Sequence, residues 1–208
     1  MSTTHLFRQS GFALMGAGLL IGMGMALHPD IADPQAAAQA LWAPTHLAVL
    51  LGLLLAGFGL TGVFLRQANR AGRLGLAGYA LLEIGIVLTA VAISADAFVF
   101  PLLSAALLEP AGPLLGGPLG LLLLGASASY ILGTLGFGAA TLRAGVFARP
   151  AAALFTLGGV LVALDPFVPQ LVAKLGALLL GIGMLWLGSS LVGRLRAEPL
   201  REGAAPAR

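Results

Sequence analysis

The chain has 208 residues, of which 59% are hydrophobic and 9% charged, with a mean hydropathy of +1.00. Soluble domains carry about 25% charged residues, so 11 Lys+Arg and 8 Asp+Glu are too few to coat a water-facing fold, and the apolar content equally excludes a disordered chain. The absence of cysteine excludes disulfides, Cys-ligated zinc and iron–sulfur clusters, and the net charge of +3 does not mark a nucleic-acid binder, because the Arg residues are scattered between apolar runs.

What remains is an all-α class, a polytopic membrane helical bundle. A helix needs about 20 apolar residues to cross ~30 Å of hydrocarbon. In chain order the sequence predicts six transmembrane helices at about 11–27, 45–65, 74–95, 119–142, 151–168 and 171–193. A tail over 1–10 precedes them and a basic tail over 194–208 follows. The first run sits behind Arg8 and has a second reading as a signal peptide, with Ala38-Gln39-Ala40 as cleavage site. Its length and the Pro-containing gap to that site favour a retained helix.

Between the first two spans, Asp33 is a good N-cap and Pro34 a good first helical residue. They predict a short surface helix over 34–42, with Trp42 as interfacial anchor. Gly72 and Gly75 precede the third span. Segment 101–118 combines Pro101, Pro110, Pro113 and Pro118 with many leucines, and it reads as a re-entrant or interfacial stretch. Pro150 opens the short fifth span, which needs Asp165-Pro166 to reach the membrane boundary.

The cations set the orientation. With six spans, Arg8, Arg66, Arg70, Arg73, Arg143, Arg149, Arg194, Arg196, Arg201 and Arg208 all fall on one side. Lys174 falls on the other, where Asp30, Asp33, Asp96, Glu109 and Asp165 also gather. The positive-inside rule then predicts a plasma (inner) membrane protein with both termini cytoplasmic.

The spans also resemble one another. His28-Pro29-Asp30, Asp96 to Pro101 and Asp165 to Pro169 end alternate spans alike, and Gly57-Phe58-Gly59 recurs as Gly136-Phe137-Gly138. Three related helical hairpins would explain this, as would chance similarity among Leu/Gly/Ala-rich helices. Gly18 and Gly22, and Gly112, Gly116 and Gly120, offer small-residue faces. They predict, beyond the lipid bilayer itself, a homo-oligomer or a membrane-protein partner.

Two constellations carry chemistry. Glu83 lies ~13 Å into the third span, and an intramembrane carboxyl is a functional candidate by default. Tyr79, Ala90 and Ser94 share its face, and the fourth span carries Ser127, Tyr130, Thr134 and Thr141. Glu83 is either the protonatable group of a proton-coupled carrier or a neutral carboxyl bonded to Tyr130 or Thr134 as interhelical glue. The second constellation is His28 and His46, which bracket the first loop, with Asp30, Asp33 and Asp96 near. They read either as ligands for zinc or haem or as histidines capping helices in water. Asp165 and Lys174 are expected to form an ion pair. No metalloprotease, nucleophile-elbow or P-loop motif occurs, and no cofactor is specified. The simplest function is a non-catalytic membrane subunit. The alternatives are a small-solute or proton-coupled carrier using Glu83, and a membrane enzyme or metal site using His28 and His46.

Overall fold

The computed structural model of the protein describes residues 3–30, 33, 35–103 and 116–197. Within them every regular element is helical: α1 (Thr3–Ala26), α2 (Trp42–Phe98), α3 (Pro118–Ala144), α4 (Arg149–Ala163) and α5 (Gln170–Ala197). Short 3₁₀ turns lie at Ala36–Ala38, Phe100–Leu102 and Asp165–Phe167. Pro118 and Pro150 occupy first turns, where a missing N–H breaks no helical bond.

Helix α2 is not straight. Its 57 residues would put Trp42 and Asp96 roughly 80 Å apart as one rod, yet Trp42 Nε1 donates to the Asp96 carbonyl at 3.3 Å. Gly72 supplies the reversal. It sits at φ 61°, ψ −160°, a region open essentially to glycine alone. Two antiparallel arms result, α2a (42–71) and α2b (73–98), held by Thr61 against Tyr79 and by a parallel stack of Phe64 on Tyr79.

The six helical segments form a closed up-and-down ring. Ser10 and Leu14 of α1 meet Gly62 and Gly59 of α2a. Gly78 and Gly85 of α2b meet Phe137 and Tyr130 of α3, and Gly159 of α4 meets Thr134 of α3. Gly158 of α4 meets Leu180 of α5, and Gly181 and Gly188 of α5 return to Gly18 and Gly11 of α1. At most of these contacts a glycine lies against the neighbouring backbone: a Cβ on Gly85 would stand 2.5 Å from Tyr130 N. This is the packing expected where lipid supplies no hydrophobic drive between helices and association rests on close fit. Leu14, Ile21, Leu60, Leu82, Phe137 and Leu180 fill the centre, while Met23, Leu54, Leu76, Leu121, Leu157 and Ile182 point outward.

By length and composition four stretches are able to cross a membrane: Thr3–Ala26, Trp42–Leu102, Pro118–Ala144 and Gln170–Gly193. The second is the folded-back pair of arms with the turn that follows it, and Arg149–Ala163 is shorter. Arg66, Arg70, Arg73 and Arg143 gather at one end of the ring, beside the Gly72 reversal and the left-handed Gly145 that ends α3. His28, His46, Asp96, Asp165 and Lys174 lie at the other.

Several expectations change. The 1–10 tail is helical from Thr3, and its Ser10 is fully buried against Gly62. The surface helix over 34–42 is a single 3₁₀ turn. Asp33 Oδ1 accepts the Gln35 N–H and Oδ2 accepts from Gln39 Nε2, both at 2.8 Å, so the turn is capped as expected, but it stops at Gln39, whose backbone is extended (φ −73°, ψ 144°). The basic tail begins as helix through Ala197, and 198–208 lie outside the described residues, as do 104–115, hence Glu109, Pro110, Gly112 and Pro113. Gly18 is already covered by α5 of the same chain and Gly22 faces it, so neither offers a free face to a partner.

Candidate functional site

The His-bearing end is built from three neighbours in the ring. α1 ends at Ala26 and delivers His28 onto the start of α2a, where His46 is one turn beyond Trp42. The end of α2b returns beside them and contributes Asp96. The hairpin geometry therefore closes an 18-residue and a 50-residue separation into one contact set. His28 Nε2 lies 3.3 Å from His46 Nε2, and His46 Nε2 lies 3.0 Å from Asp96 Oδ2. His46 is 2% exposed and Asp96 38%. Trp42 covers both imidazoles, with ring centroids 5.3 Å from His28 and 4.4 Å from His46. It is a wall of this cluster, 9% exposed, more than an anchor in the interface.

Hydrogen bonding assigns the tautomers. His28 Nδ1 is 2.7 Å from the Pro29 carbonyl and His46 Nδ1 is 2.7 Å from the Trp42 carbonyl. A carbonyl only accepts, so both Nδ1 atoms donate. In neutral rings both Nε2 atoms are then acceptors, and they face each other and a carboxylate. Three acceptors do not meet unless a cation stands among them. With a proton on His46 Nε2 the set becomes an imidazolium between the Asp96 carboxylate and the His28 lone pair. Burial pushes the His28 pKa below its ordinary value, opposed by the Pro29 hydrogen bond, and so favours the neutral form of that ring. Gln170 and Lys174 of α5 brace the same turn, Gln170 Nε2 donating to the Pro29 carbonyl at 2.7 Å and Lys174 Nζ to the His28 carbonyl at 2.8 Å.

This corrects two expectations, the Asp165–Lys174 ion pair and haem ligation. Lys174 bonds a main-chain carbonyl instead of Asp165, whose Oδ1 is buried with no hydrogen-bond partner among the described residues. Asp30 lies on the exposed turn, where its carbonyl accepts from the Asp33 N–H. The two imidazoles touch edge to face at 62°, which leaves no slot for a haem plane between them. Among the described residues no three His, Asp or Glu side chains enclose a ready-made metal position.

Below the cluster lies a half-open cavity of about 340 Å³. Every helical segment contributes to it: Ile21 and Met25, Val49 and Leu53, Thr89 and Ile93, Ser127 and Tyr130, Val162, and Leu180. Asp96 and Asp165 give it an acidic rim. The sequence shows these acids ending alternate helices but cannot show that they border one space, because that depends on ring closure.

Glu83 stands elsewhere. Gly78, Leu82 and Gly85 form the α2b face that meets α3, and Glu83 is turned about 100° from Leu82. It faces α2a, where a Cβ on Gly57 would stand 2.9 Å from its Oε2. Tyr79 lies beside it, and the Tyr79 hydroxyl donates to Thr61 Oγ1 at 2.7 Å, while Thr61 donates to the Gly57 carbonyl at 3.0 Å. Glu83 Oε1 is buried with no hydrogen-bond partner among the described residues. Tyr130 and Ser127 instead line the cavity, and Thr134 packs on Gly159 of α4. The expected seam from Glu83 to Ser127, Tyr130 and Thr134 is therefore not formed. Thr61 and Gly57 are the neighbours that sequence reasoning missed.

Fold and site together define an all-helical protein with four helical stretches long and apolar enough to cross a membrane, a cavity among the helices and a titratable cluster at one mouth. The chain matches no family model, no curated protein and no solved structure.

Proposed function

We propose that the chain is a six-span plasma-membrane protein, with both termini cytoplasmic, that binds a small solute in its central cavity as a carrier. The observation that carries this reading is the cavity itself, to which all six helical segments contribute. A scaffold subunit needs no such space, since close-packed interiors leave few voids larger than a water. The apolar walls suit a solute with an apolar body, and Asp96 and Asp165 at the rim suit a cationic or hydrogen-bond-donating head. Both arms of α2 and the short α4 cross in this reading, α4 with the help of the Asp165–Phe167 turn. The segregation of Arg from Asp and His between the two ends supports the orientation.

The Cys-free chain allows a direct topology test. Single cysteines replacing the exposed Gln39 and Asn69 are expected to be labelled only from outside and only from inside, respectively. The opposite pattern overturns the orientation, and labelling of both from one side overturns the span count. Binding is tested with benzyltrimethylammonium on protein in proteoliposomes. Saturable uptake is expected, abolished by Ile93→Trp, which fills the cavity, and weakened by Asp165→Asn. Uptake equal to that of empty liposomes overturns the carrier reading for cationic solutes.

A further inference from the structure

We infer that His28, His46 and Asp96 form a binding site for a divalent transition-metal ion of the zinc class, with His28 Nε2, His46 Nε2 and Asp96 Oδ2 as donors. The argument is geometric and independent of the carrier reading. Both Nδ1–H groups are held by main-chain carbonyls, those of Pro29 and Trp42. Metal-binding imidazoles are commonly oriented this way, with the far nitrogen fixed as donor so that Nε2 presents its lone pair. The Pro29 carbonyl is in turn held by Gln170 and the His28 carbonyl by Lys174, so α5 stiffens the arrangement.

Two of the three donor separations are near the edge of such a coordination sphere. Zinc–nitrogen bonds of 2.0–2.1 Å make the edge of a tetrahedron about 3.3–3.4 Å. The two Nε2 atoms are 3.3 Å apart, and the carboxylate oxygen is 3.0 Å from one of them. As the side chains stand, no group of three His, Asp or Glu among the described residues could hold a metal ion; the donors are closed on one another by hydrogen bonding and must turn toward a common point to bind one. A metal ion entering between the acceptors takes the place of the shared proton, which leaves to solvent. Two imidazoles and one carboxylate are borderline ligands that suit zinc, cobalt, nickel or copper and disfavour magnesium and calcium. Three protein donors leave a fourth position open toward the partly exposed Asp96 side.

The test uses the full chain, purified with no polyhistidine tag, stripped with chelator and titrated with Co²⁺ as a spectroscopic stand-in for zinc. The expected result is one ion per chain, the visible absorption of a four-coordinate site, and displacement by Zn²⁺. His28→Gln and Asp96→Asn, which keep side-chain size, are each expected to weaken binding at least tenfold. His5→Gln, on the exposed first turn of α1, is expected to leave it unchanged. The thermal midpoint of the unmodified protein provides a readout that needs no variant to fold, and it should rise with Zn²⁺ and not with Mg²⁺. No Co²⁺ uptake, or uptake equal in His28→Gln and the unmodified chain, overturns the site and leaves a proton as the only cation in the cluster. Neither result bears on uptake of benzyltrimethylammonium, so the two readings fail separately.

Discussion

Gly72 and Gly145 both have positive φ and both have open space where a side chain would go, so backbone strain alone separates their variants. Gly145 (φ 63°, ψ 19°) is in the left-handed helical region that Asn also visits. Gly72 is not. Gly145→Asn is therefore expected to lower stability by under about 1 kcal/mol, while Gly72→Asn costs about 1–3 kcal/mol. Unfolding midpoints of the purified variants in one detergent would check the ranking, and equal losses would refute it. A second residue-scale prediction concerns Glu83. Glu83→Gln keeps the size and hydrogen-bonding capacity of the side chain and should leave stability nearly unchanged. Tyr79→Phe removes the bond to Thr61 and should cost roughly 0.6 kcal/mol. The sequence showed Tyr79 and Glu83 on one face because their spacing is one helical turn. It could not show which helix that face meets, since Gly57 and the fourth-span hydroxyls lie at comparable depth. For His28 and His46 the sequence did better: both end at the same boundary of a hairpin, and a hairpin leaves them few other places to be.

Between elements, the decisive quantity is how near two helix axes come. Gly78, Gly85 and Gly133 bring α2b and α3 into backbone contact, and each would drive a Cβ into the partner's main chain. Gly125, on the same α3, faces open space. Gly85→Leu should separate the pair and cost several kcal/mol, on the scale of overpacking in a close-packed core. Gly125→Leu should be near neutral. Parallel proteolysis or thermal unfolding of both variants distinguishes them, and similar losses would mean that this contact does not hold the pair. The starts of α2b and α4 were legible from Gly72 and Pro150, whose backbone chemistry is local, whereas α1 and α5 extend into the polar tails. The 34–42 segment misled because a cap shows where a helix starts and not how far it runs. Asp33 caps the turn through the Gln35 N–H, but the chain becomes extended at Gln39 and a single turn results.

At the scale of the whole molecule, the ring is closed by the first helix and the last. Gly11 rests on Gly188 and Gly18 on Gly181, residues at opposite ends of the chain. No local pattern announces such a pairing, which is why the cavity among the helices was invisible in the sequence. The closure also has a consequence for biogenesis. A ribosome must make roughly 180 residues between these partners, on the order of 10–35 s at 5–20 residues per second. On the six-span reading proposed above, α1 waits in the bilayer throughout that interval with only α2a packed on it and the face that α5 will cover still open. The nascent chain is then a substrate for membrane quality control until α5 arrives. A chain stopped after residue 169 is expected to insert but to be degraded rapidly, and co-expression of 170–208 as a separate fragment should restore its half-life. Pulse-chase measurement would decide this: a truncated chain as long-lived as the intact one would mean that the ring does not depend on its last stave.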